Sequence, residues 1–85
     1  MKTFKYTITD PQGMHARPAG ALVKEATAYQ SEVKIERDGM QVDAKRIFGI
    51  MGLGIKAGQE VVFHISGEDE EEAAAGLESF MKGNL

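Results

Sequence analysis

The residues with the most chemical content lie together in the stretch Gly13-Met14-His15-Ala16-Arg17-Pro18-Ala19. An unperturbed imidazole titrates near about pH 6.5, so a histidine at neutral pH offers a largely uncharged ring nitrogen, which is a nucleophile. The stretch joins the end of an alternating segment to the start of a helical one. Pro18 lacks a backbone N–H, which is harmless in a first helical turn, where the amides have no intrahelical partner. With His15 near the N-cap, the amides of Ala16 and Arg17 point outward from the positive end of the helix and form an anion site. A nucleophilic nitrogen beside an anion site suits phosphoryl transfer. A phosphorylated ring would carry a dianion that the Ala16 and Arg17 amides and the Arg17 guanidinium can hold through charge-assisted hydrogen bonds. His15 and Arg17 are therefore candidate reacting residues, and Ala16 and Arg17 candidate phosphate-binding ones. A loop histidine with an arginine two residues on is the plainer reading of that pair, and the flanking Gly13 and Pro18 count against it.

The elements that must position this stretch follow from hydrophobic period. Phe4, Tyr6 and Ile8 alternate with Lys5, Thr7 and Thr9, as in a half-buried strand, until Asp10, Pro11 and Gly13 break the run. Ala19, Leu22, Val23 and Ala26 then mark one face of a first helix. Val33 and Ile35 alternate in a second strand and Met40, Val42 and Ala44 in a third. Asp38-Gly39 between them is a strong hairpin signal, because such turns need positive φ. Ile47, Ile50 and Met51 suggest a short helix loosened by Gly49, Gly52 and Gly54. Val61, Phe63 and Ile65 form a fourth strand, with Val62 and His64 on its other face, and His64 is expected to face solvent with no role. Ala73, Ala74, Leu77, Phe80 and Met81 give a last helix. The acids Glu68 to Glu72 before it suit the positive end of its dipole. The order β-α-β-β-α-β-α predicts an α+β open-faced sandwich, a four-stranded antiparallel or mixed sheet with helices on one face.

Eighty-five residues make one domain, 1–85, with a thin core. The absence of cysteine excludes disulfides, thiolate metal sites and a cysteine nucleophile. No convincing metal cluster is visible, and no cofactor is implied. No apolar run approaches the roughly 20 residues of a membrane span, and Met1 to Thr9 lacks the apolar stretch of a signal peptide. A cytoplasmic location without membrane insertion is expected. Residues 1–58 hold nine Lys or Arg against six Asp or Glu, while residues 59–85 hold one against seven. The basic part is too weakly charged to argue for nucleic acid, and it suits an acidic protein partner. Gly49, Gly52, Gly54 and Gly58 do not match a nucleotide-binding loop.

The stretch from Gly13 to Ala19 closely resembles the active-site signature of HPr, the histidine-containing phosphocarrier of the bacterial sugar phosphotransferase system. The resemblance extends to Ile47-Phe48-Gly49-Ile50-Met51-Gly52-Leu53-Gly54-Ile55, to Gly67-Glu68-Asp69-Glu70 and to the element order. It implies that His15 takes a phosphoryl group from enzyme I, on the ring nitrogen nearer the backbone, and passes it to enzyme II A domains, with Arg17 stabilising the phosphohistidine. The protein would be a monomeric carrier rather than a self-contained enzyme, completing its active site with each partner. By the same resemblance the docking surface is Ala16, Gly20, Ile47, Phe48, Met51, Gly52 and Leu53, with Lys24, Lys45 and Arg46 at the rim; Ile50 is assigned to the core.

Many HPr proteins carry a regulatory serine where this chain has Arg46, so the resemblance implies that a serine kinase has no hydroxyl there, and Ser31, Ser66 and Ser79 lie elsewhere. Without a serine cap, which is worth about 0.5 to 2 kcal/mol, the short helix is expected to be weaker. Gln12 is expected to offer a side-chain amide near the imidazole. Two other readings remain. One is an HPr-like regulatory protein phosphorylated on His15 but acting on a regulator or a non-sugar pathway. The other is an unrelated small binding module.

Overall fold

The alternating segments form strands because each presents one apolar edge to the same side. A computed structural model describes residues 1–85. Its elements are β1 (Lys2–Thr7), α1 (Ala16–Thr27), β2 (Glu32–Arg37), β3 (Met40–Asp43), α2 (Ile47–Gly52), β4 (Glu60–Ser66) and α3 (Glu70–Asn84). The strands make one sheet in the order β1-β4-β2-β3, and every pairing is antiparallel, which settles the antiparallel-or-mixed alternative. Phe4 lies opposite Phe63 and Tyr6 opposite Val61, while Val33 lies opposite Ile65 and Ile35 opposite Phe63. The rings of Phe4 and Phe63 stack with centroids 4.8 Å apart. A one-residue slip would turn this apolar set to solvent, so the pattern fixes the register.

The helices cover that face. α1 buries Ala19, Leu22 and Ala26, and α3 buries Ala73, Leu77 and Met81, the spacings of three and four that share one side of a helix. Their side chains meet Val33, Ile35, Val61, Phe63 and Ile65 in one core, and the opposite face of the sheet carries polar residues such as Lys34, Glu36 and His64. The architecture is the expected open-faced α+β sandwich. At the hairpin, Asp38 and Gly39 take φ of 52° and 82°. Two consecutive positive values give the turn whose twist matches antiparallel strands.

Two long-range ties close the sandwich. The Asp69 carboxylate accepts hydrogen bonds from the Gln30 amide (2.9 Å), the Ser31 amide (2.9 Å) and the Ser31 hydroxyl. These bonds, the hydroxyl's first, hold the Asp69 carboxyl below the usual carboxylate range. Near the other end of α3, the Leu85 oxygen accepts from the amides of Thr9 and Asp10 and from the Thr9 hydroxyl. This second tie fixes the loop that leads to His15.

Candidate functional site

The loop from Asp10 to Met14 is built to present His15. The Gly13 amide donates to the Asp10 carbonyl (2.9 Å), and the Met14 amide donates to the Ile55 carbonyl (3.0 Å). Gly13 has φ of 68°, and a Cβ there would lie 2.6 Å from the Ile55 oxygen. Only glycine fits such a position without movement. Met14 is buried and pins the loop, which leaves His15 as the N-cap of α1. Its carbonyl accepts the Ala19 amide at 3.0 Å. The amides of Ala16 and Arg17 donate to no protein group, and both residues are exposed while Pro18 is buried beneath them. The anion site expected from the sequence is therefore open to solvent.

A depression of about 230 Å3 lies over this helix end, lined by Asp10, His15, Arg17, Pro18, Ala21 and Asn84. The His15 side chain is 37% exposed, and its Nε2 lies 3.8 Å from Asp10 Oδ2. That distance is too long for a hydrogen bond but within Coulombic reach. The Arg17 guanidinium makes no ion pair or hydrogen bond to the protein, so its five donors are free. A larger depression, about 350 Å3, lies beside the Asp38-Gly39 turn and is lined by Glu36, Asp38 and Glu60 among others. Its carboxylates oppose an anion, and it holds neither His15 nor Arg17. The smaller depression is the one that brings His15 and Arg17 together.

Beside it α1 and α2 meet where Gly20 faces Ile47 Cδ1, about 3.8 Å from an ideal Cβ at Gly20. Phe48 is 88% exposed, Met51 40% and Ile47 36%, while Ile50 is buried in the core as assigned. Isolated exposed apolar residues are ordinary, but three on one six-residue helix make a patch. Gly52 is open, and Lys24 on α1 and Arg46 just before α2 are both exposed. The Arg46 guanidinium, 82% exposed, reaches only Asp43, at 3.9 Å. Arg46, the N-cap of α2, makes no side-chain cap hydrogen bond.

Four expectations are corrected here. Leu53 does not belong to the patch: it follows α2 as its C-cap, turns into the core and is only 2% exposed, while its carbonyl accepts from Arg37 Nε. Lys45 is not free at the rim, because its ammonium donates to the Tyr29 carbonyl at 2.9 Å. Gln12, expected to offer its side-chain amide near the imidazole, is not among the residues that line the depression. His64 is not simply solvent-facing: it is half-buried on the open sheet face, with Nε2 2.7 Å from Glu36 Oε1. Sequence reading missed Asp10 and Asn84 as site neighbours. Asp10 was legible only as a strand breaker, and nothing in the sequence connects Asn84 to His15.

The fold and the site together define a small α+β sandwich with an exposed histidine at a helix N-terminus, a free arginine and an adjoining apolar patch. The family model described as "PTS HPr component phosphorylation site" matches residues 2–83. The phosphocarrier protein HPr of Lysinibacillus sphaericus is 38% identical over 81 residues, covering 95% of this chain and 92% of that protein. The HPr-like protein Crh of Bacillus subtilis is 43% identical over 70 residues, covering 82% of each. The crystal structure of HPr from Thermoanaerobacter tengcongensis superposes with a TM-score of 0.94 at 38% identity, covering 98% of this chain and 93% of that one. That protein has also been solved as a dimer. The chain belongs to the HPr family, the phosphocarrier proteins of the phosphotransferase system.

Proposed function

We propose that residues 1–85 form a single HPr-like domain that relays a phosphoryl group through His15. The observation that carries this is the pair of unbonded amides, Ala16 and Arg17, behind an exposed imidazole at the N-cap of a twelve-residue helix. The lone pair of Nδ1, the nitrogen nearer the backbone, attacks the phosphorus carried by enzyme I. A P–N bond forms on His15, and the bond to the donor breaks with its electron pair returning to the donor. The same exchange in reverse passes the group to an enzyme II A domain. Catalysis here is positioning and charge stabilisation. The two amides and the Arg17 guanidinium hold the phosphoryl oxygens, and the partner supplies the other half of the site.

Docking falls to Ala16, Gly20, Ile47, Phe48, Met51 and Gly52, with Lys24 and Arg46 at the rim. Polarizable Met and Phe suit several partners, and the basic rim suits acidic ones. Arg46 has no hydroxyl, so the protein is closed to phosphorylation at that position. It acts as a carrier rather than a self-contained enzyme, as a cytoplasmic monomer. The similarity to Crh favours a second reading, an HPr-like protein phosphorylated on His15 that acts on a regulator. Incubation with enzyme I, magnesium and phosphoenolpyruvate, followed by intact-mass analysis, tests the proposal. One acid-labile phosphoryl adduct is expected, absent from His15→Ala. No adduct, where an ordinary HPr is modified, would overturn it.

A further inference from the structure

We infer that Asp10 is a positioning residue for His15: its carboxylate orients the imidazole so that Nε2 carries the ring proton and Nδ1 keeps the free lone pair. This rests on the reading of His15 as phosphoryl acceptor. Asp10 is held on three sides. Its Oδ1 accepts the Gln12 amide at 2.8 Å, its own amide donates to the Leu85 oxygen at 2.9 Å, and its carbonyl accepts the Gly13 amide at 2.9 Å. The remaining oxygen, Oδ2, faces His15 Nε2 at 3.8 Å inside the same depression. The imidazole itself makes no hydrogen bond to the protein, so Asp10 is the group that biases it.

A carboxylate at that distance disfavours a ring tautomer whose Nε2 lone pair points at it and favours the one whose N–H does. The nitrogen across the ring is then the nucleophile. When Nδ1 attacks phosphorus, Nε2 keeps its proton, and the ring gains positive charge opposite a fixed negative one. Asp10 thus acts through His15, as the third member of a catalytic triad orients its base.

The test uses two variants that keep an oxygen for the Gln12 amide without the charge, Asp10→Asn and Asp10→Ser. In 15N-labelled protein, the ratio of Nε2–H to Nδ1–H tautomer of neutral His15 is read from two-bond couplings. A single charge 3.8 Å from the ring in water-like surroundings should change that ratio about threefold on removal. The kcat for phosphorylation by enzyme I should fall roughly three- to tenfold, with KM within about twofold, since the group acts in the transition state rather than in docking. Unchanged tautomer ratio and kcat in a folded variant would overturn the inference. If wild type itself takes no phosphoryl group, the carrier reading fails, while the tautomer shift still decides whether Asp10 orients the ring.

Discussion

Replacing Gly13 by alanine tests whether the loop is built to present His15. The new methyl would lie 2.6 Å from the Ile55 carbonyl oxygen and 2.8 Å from Lys56 Cα, both backbone atoms that cannot turn aside. Its φ of 68° adds the left-handed cost for a residue with a Cβ, about 1 to 2 kcal/mol. Relief of the clash pulls the loop off the strand-side segment and strains or breaks the 3.0 Å bond from the Met14 amide to Ile55, worth about 0.5 to 1.5 kcal/mol. We expect a loss of roughly 2 to 4 kcal/mol in urea unfolding. The corresponding drop in Tm is at least about 10 °C for a domain of this size. Phosphorylation should slow even where the variant is fully folded, because His15 leaves its place at the N-cap. Gly20→Ala is the control: its Cβ meets only Ile47 Cδ1 at 3.8 Å. It should be neutral or gain up to about 1 kcal/mol from helix propensity. A Gly13→Ala variant less than about 1 kcal/mol destabilised would refute the reasoning.

Three further predictions concern residues that the structure separates. Phe48→Ala should leave stability within about 0.5 kcal/mol of wild type yet weaken association with enzyme I, whereas Leu53→Ala should cost about 2 to 5 kcal/mol; paired urea titrations and binding measurements check both. Charge reversal at Arg46, Arg46→Glu, should slow association with an acidic partner steeply at low salt and little at high salt. An unchanged low-salt rate in stopped flow would remove Arg46 from the interface. The Asp69 carboxyl is held below its ordinary range, so its stabilising effect is fully present above the unfolded value near about pH 4 and is lost as pH falls through the lower native one. The stability gap between wild type and Asp69→Asn should therefore be constant from neutral pH to mild acid and close below it, in urea titrations run across pH.

Local pattern carried much of this fold. The alternation of Val33 with Ile35 and of Val61 with Phe63 and Ile65 set which side chains face the helices, and Asp38-Gly39 marked the hairpin. The sheet order was not local information: β1 lies beside β4, a pairing set by the shared apolar face rather than by any signal near either strand. At the site, His15, Arg17 and the helix start were legible because one short stretch contains them. Asp10 and Asn84 were not, since their proximity to His15 depends on the tie between the Thr9–Asp10 loop and Leu85. Leu53 was placed on the docking surface by the resemblance alone, whereas the turn after α2 sends that side chain inward. The pairing of His64 with Glu36 joins two strands distant in sequence and leaves no trace in either one.

A relay requires onward transfer, and acceptance of a phosphoryl group alone does not establish it. The most direct measurement is a chase. Protein labelled on His15 with 32P is freed of enzyme I and phosphoenolpyruvate and mixed with an unlabelled enzyme II A domain. The label is expected to leave this chain and appear on the A domain within a single turnover, and Arg17→Ala to slow the transfer by at least about tenfold. Label that stays on His15 until it hydrolyses, with several A domains offered, would contradict the account and favour action on a regulator.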